Sequence, residues 1–88
     1  MPTVDPAAQA RFDALIDEYE EVSRTVAGAT AVRGPNEYRA RTQLSYARRA
    51  FRLARLMAPA EGEPRADFDR QLDTVRTSID AARRLITA

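Results

Sequence analysis

The sequence predicts an all-α protein, a small antiparallel three-helix bundle with helices at about residues 6–27, 37–58 and 65–87. Three observations carry that expectation. Apolar residues recur at alternating spacings of three and four along three separate stretches, which places them on one face of a helix. Two clusters of breakers, Gly34-Pro35 and the run from Pro59 to Pro64, divide those stretches. No run of alternating β-branched residues is long enough for a strand.

The first helix opens on Asp5, a residue suited to capping, followed by Pro6 at the first helical position, where its missing N–H is not needed. Ala8, Phe12, Leu15, Tyr19, Val22 and Val26 then keep a heptad rhythm, with Ile16 widening the seam. Gly28 is expected just beyond a helix ending near Ala27. Residues 29–36 read as a connection, with Asn36 as the cap of the next helix.

The central helix carries two apolar seams. Ala40, Leu44, Ala47, Phe51, Ala54 and Ala58 form one, and Tyr46, Ala50, Leu53 and Met57 form a second beside it. Two seams are expected of the helix that packs against both others. Pro59 ends it, because the residue before a proline is pushed out of helical geometry. After a second connection, in which Pro64 suits a first helical turn, Phe68, Leu72, Val75, Ile79, Ala82 and Ile86 supply the third heptad. Short connections make neighbouring helices antiparallel. The competing arrangement is a helical hairpin whose third helix completes a dimer.

Eighty-eight residues are the length of one domain, 1–88, with a core small enough that association would help it. A 44% hydrophobic and 31% charged composition is that of a globular chain rather than a disordered one. Cysteine and histidine are both absent, which removes disulfides, thiolate metal sites and the commonest general base. The leading residues lack a basic segment followed by an apolar run, and no stretch is apolar for long enough to span a bilayer, so the expected location is cytoplasmic. All fourteen basic residues are arginine, which reads first as codon bias and second as selection for guanidinium chemistry.

Charge is segregated. Residues 5–27 carry six acids against Arg11 and Arg24, a net −4, whereas residues 36–58 carry six arginines against Glu37, a net +5. Arg41, Arg48, Arg52 and Arg55 form a basic stripe on the central helix, and Asp13, Asp17 and Glu20 an acidic ridge on the first. The first expectation is that stripe and ridge pair within the chain and fix which helix lies beside which. An acidic protein partner comes next, and nucleic acid last, because the near-neutral total charge disfavours a dedicated polyanion binder.

The best sign of a binding surface is apolar. Leu56 and Tyr38 fall outside both seams, and Tyr46, Leu53 and Leu56 framed by Arg49 and Arg52 resemble an interface core with an arginine rim. Candidate partner-binding residues are therefore Tyr46, Arg49, Leu53 and Leu56, together with Arg41, Arg48, Arg52 and Arg55. No catalytic, cofactor or metal site is expected. Ser23, Ser45 and Ser78 have no base to activate them, and three glycines make no phosphate loop. Asp67 and Asp69, two apart on a helix, point to different sides, and with Asp73 they suit the helix start rather than a metal ion. The pair Asp13 and Asp17 reads as a solvated face.

Tyr38, Ala47, Phe51, Ala54 and Pro59 sit at spacings that resemble the second helix of a tetratricopeptide repeat, over about a quarter of the chain. Gly34-Pro35 falls inside the repeat's first helix, Ala31 stands where it has a large aromatic, and no second copy follows. The likeness is one of small-residue helix packing. Compact three-helix chorismate mutases are similar in length, but this chain has no lysine for their pocket and no arginine-rich start to its first helix. The functional expectation is a non-enzymatic interaction module that binds another protein or itself, as a homodimer, through the central helix. The alternative is a small nucleic-acid-binding protein using the arginine stripe. No membrane or small-molecule partner is expected.

Overall fold

A computed structural model describes residues 3–28 and 34–87 and contains three helices, α1 (Pro6–Gly28), α2 (Pro35–Leu56) and α3 (Ala66–Thr87). The first residues of the expected connection, 29–33, lie outside the described part. Helices α1 and α2 run antiparallel, with Phe12 and Tyr19 both against Phe51. α1 and α3 run parallel, Arg11 meeting Asp69 while Glu18 meets Arg76 and Arg83 further along both helices. The bundle is an up-down-up arrangement 47 × 17 × 16 Å in extent. α3 packs within the same chain on both other helices, so the hairpin alternative does not hold.

Local chemistry sets the helix ends. The Asp5 carboxylate accepts a hydrogen bond from the backbone N–H of Ala7 at 2.9 Å, and its carbonyl accepts one from Gln9 at 2.9 Å, so Asp5 caps α1 as expected. Gly28 belongs to the helix itself and does not take the left-handed conformation expected of it. The α2 boundary also moves. Gly34, not Asn36, is the cap, at φ 74° and ψ −141°, a conformation that favours glycine, and it puts Pro35 at the first helical position. At the other end the backbone N–H of Met57 closes the helix on the carbonyls of Leu53 and Ala54. Ala58 lies outside α2 and is exposed, because Pro59 follows it.

Before α1, Val4 forms an isolated antiparallel bridge with Ala60. Asp5 N–H donates to the Pro59 carbonyl at 2.9 Å and Glu61 N–H to the Thr3 carbonyl at 3.3 Å. The leading segment is thereby tied to the connection between α2 and α3.

The core is one cluster. It takes Ala8, Phe12, Leu15, Val22 and Val26 from α1, Ala40, Leu44, Ala47, Ala50, Phe51 and Ala54 from α2, and Phe68, Leu72, Val75, Ile79 and Ala82 from α3. Ile16, Tyr19, Leu85 and Ile86 pack against it, half-buried. The second seam of the central helix enters it only through Ala50. Of Tyr46, Ala50, Leu53 and Met57 only Ala50 is buried. α2 and α3 are the most closely packed pair of helices. The buried alanines of α2 allow that approach, so one broad seam serves both neighbours and the larger residues beyond Ala50 stay outside.

Candidate functional site

Two arrays on α2 remain after the core is accounted for. The first is its outer side. Leu56 is 85% exposed and Leu53 37%, with Tyr38, Tyr46 and Met57 exposed as well. Tyr46, Arg49, Ala50 and Leu53 line a hollow of about 240 Å³ with Gln71 and Thr74 of α3. The structure thus brings Tyr46, Arg49 and Leu53 to one place, with Leu56 about a turn further on. Met57, which the pattern assigned to a seam, extends the exposed apolar end of the helix.

The second array is the arginine stripe, and here the expected pairing fails. Among the described residues, no ion pair joins Arg41, Arg48, Arg52 or Arg55 to Asp13, Asp17 or Glu20. Arg41 binds Glu37 one turn away at 3.1 Å. Arg48 donates from Nε to the Tyr19 hydroxyl at 3.3 Å, and the Arg55 guanidinium lies 5.7 Å from the centre of the Phe12 ring, in cation–π range. The physical reason is spacing. Phe12 and Tyr19 meet Phe51 edge-on, with ring centres 5.4 and 5.6 Å apart, and these rings fill the seam between α1 and α2.

What remains between α1 and α2 is a groove. One hollow, about 290 Å³, is lined by Tyr19, Ser23, Val26 and Ala27 of α1 and Arg41, Leu44, Ser45 and Arg48 of α2. The adjoining one, about 240 Å³, has Ile16, Tyr19 and Glu20 on one side and Arg48, Phe51, Arg52 and Arg55 on the other.

The ion pairs that do cross between helices join α1 to α3. Arg11 donates to Asp69 at 2.8 Å and to Asp73 at 2.7 Å, and these carboxylates, Asp73 first, raise its pKa. Glu18 receives both arms of Arg76, one at 2.9 Å, and Arg83 at 3.1 Å. Arg76 is the main reason that the Glu18 carboxyl is held at about 2, and the pKa of Arg76 is raised in return. Sequence reasoning missed this set, yet a signal was present. Arg11 and Glu18, seven apart, are positive then negative, whereas Asp69 or Asp73 and then Arg76 and Arg83 run negative then positive.

Asp69 and Asp73 thus serve Arg11, and Asp67 binds Arg70 at 3.3 Å. Among the described residues, no group of three acidic side chains is placed to hold a metal ion. Ser23 and Ser45 border the groove and Ser78 is buried in α3. No described helix is long and apolar enough to cross a membrane. Comparison of the chain with protein-family models, curated proteins and solved structures finds no match.

Proposed function

We propose that this chain is a non-enzymatic protein-interaction module that docks a partner protein on the outer side of α2. The observation that carries the reading is the exposed set Tyr38, Tyr46, Leu53, Leu56 and Met57. A lone exposed leucine is ordinary, whereas tyrosine, leucine and methionine grouped beside arginine have the composition of an interface centre. Charge defines the partner. Arg39, Arg49 and Arg52 are exposed on α2 without a carboxylate in ion-pair range among the described residues, so the matching surface is apolar with an acidic rim.

The test uses the wild type and a Leu53→Glu/Leu56→Glu variant as paired baits in lysate of the source organism. Proteins held by the wild type alone are then purified and titrated against both. Binding to purified wild type, lost in the variant, is the expected result. Identical retention by both baits removes the reading.

A second reading, nucleic-acid binding, draws support from the stripe itself, since Arg48, Arg52 and Arg55 have no carboxylate in ion-pair range among the described residues. It requires a complex whose affinity falls with salt at a slope of about 0.9 per duplex phosphate contacted. The protein-docking reading expects no complex at about 150 mM salt, where charges are screened beyond roughly 8 Å.

A further inference from the structure

The internal ion pairs leave an uneven remainder. Asp13, Asp17, Glu20 and Glu21 on α1 are exposed, and none has a guanidinium in ion-pair range among the described residues. Arg39, Arg48, Arg49, Arg52 and Arg55 on α2 are exposed and lack a carboxylate in the same way. Of these charges, Glu20 stands on one wall of the groove between the two helices and Arg48, Arg52 and Arg55 on the other. Ile16, Tyr19 and Phe51 lie between them.

We infer that this α1/α2 face is a self-association surface, on which a second copy of the chain docks with its α1 over the first copy's α2. Symmetry makes the choice of pose. A closed dimer sets the same face of each copy against the other. A two-fold axis running across the helices lays α1 on α1 and α2 on α2, setting like charges together. An axis parallel to the helices lays α1 of each copy on α2 of the other, so that both contacts are complementary.

The same axis fixes the register. Within the chain Phe12 is level with Arg55 and Tyr19 with Arg48. Rotation about an axis along the bundle leaves every residue at its height. Asp13 of the second copy therefore comes level with Arg52 and Arg55, and its Glu20 with Arg48. The pairing that the sequence pattern calls for is absent within one chain and available between two.

This surface shares Arg52 with the rim of the outer side of α2 but not Leu53 or Leu56, and the experiment separates the two. Sedimentation is measured on the wild type, on Arg48→Glu/Arg52→Glu, on Asp13→Arg/Glu20→Arg, on an equimolar mixture of these two, and on Leu53→Glu/Leu56→Glu. The wild type is expected to dimerise at about 100 μM, above the micromolar range of weak specific complexes, and to dissociate as salt rises. Each charge reversal opposes like charges at both contacts of its own homodimer and should weaken it about tenfold or more. The mixture should restore a dimer, because a heterodimer of the two variants is complementary at both contacts.

Leu53→Glu/Leu56→Glu should dimerise like the wild type. Circular dichroism follows helix content throughout, and a charge-reversed chain that loses helicity alone should regain it on mixing. A monomeric wild type, a charge-reversed variant that dimerises undiminished, or a mixture that stays monomeric overturns the inference. Loss of the dimer in Leu53→Glu/Leu56→Glu alone also overturns it, and leaves the docking reading standing with a second copy as the partner.

Discussion

The two faces of α2 that meet its neighbours are built from different materials. Toward α3 it offers alanines, with Ala40, Ala47, Ala50 and Ala54 buried, and the two backbones lie close together. Toward α1 it offers Leu44 and Phe51, and the Phe51 ring meets Phe12 and Tyr19 edge-on. Methyl groups let α2 and α3 pack closely, with a hollow at the outer edge beside Tyr46 and Leu53. Rings and guanidinium stems leave a groove of two adjoining hollows on the other side. α1 is then fixed by ion pairs to α3 rather than to its antiparallel neighbour. The same helix therefore provides a closely packed contact on one side and a more accessible, charged one on the other.

The strongest way to break this arrangement is at the rings. Phe51 is buried and shared by both aromatic contacts, so Phe51→Ala removes the filling of the α1/α2 seam. The expected loss is about 3–5 kcal/mol, enough to unfold so small a protein, and urea denaturation measures it. Wild-type stability in this variant would show that the rings do not hold α1.

Enlarging a side chain should have opposite results at the two interfaces. Ala47 has no exposed surface, so Ala47→Leu forces α2 and α3 apart at about 1–3 kcal/mol. Ser23 borders the 290 Å³ hollow, where a leucine finds room, and Ser23→Leu should stay within about 0.5 kcal/mol of wild type or exceed it. Thermal melts of both variants sharpen the comparison. Equal losses would mean that the groove is as tightly filled as the alanine seam.

Helix number, order and nearly every core position were legible because an apolar face repeats with the helical period whatever it packs against. Pro35 and Met57 moved the α2 boundaries by a residue or two, since capping depends on backbone conformations such as that of Gly34. The division of α2 into seams was misread for a different reason. Tyr46 and Leu53 have the right spacing for burial, but the width of the covered face is set by how near α3 comes, which the alanines decide. Leu56 and Tyr38 were legible as exposed because they lie off every seam. The partners of the charges were not. Opposite sign on two helices says that pairing is favourable somewhere, while the distance that permits it is a property of the packed bundle.

The ion pairs of α1 with α3 set a pH dependence of intermediate size. The Glu18 carboxyl is held at about 2 against an ordinary value of 4.5, chiefly by Arg76. A depressed carboxyl stabilises the fold fully above the unfolded value, and that contribution is lost as pH falls through the folded one. The window therefore runs from about pH 5 down to about pH 2. The group is half-buried, and after solvent screening the contribution is about 1 kcal/mol. Urea midpoints of wild type and Glu18→Gln should differ most near neutrality and converge as the pH approaches 2. A gap independent of pH would assign the loss to packing instead.

The smallest expected effect on stability is at Leu56, and that is what makes the residue informative. At 85% exposure its side chain has little contact to lose, so Leu56→Glu should leave the melting temperature nearly unchanged, within about 0.5 kcal/mol. The glutamate would sit one turn from Arg52, and that weak attraction offsets the unfavourable negative charge at the C-terminal end of α2. An apolar partner seated on the outer side of α2 would instead meet a buried charge, at a penalty far larger than the change in folding. The variant thus separates the two roles of α2. Unchanged folding with lost partner binding assigns Leu56 to recognition. A clear drop in melting temperature would show that the outer side supports the bundle itself, and the comparison between a closed and an accessible face of this helix would fail there.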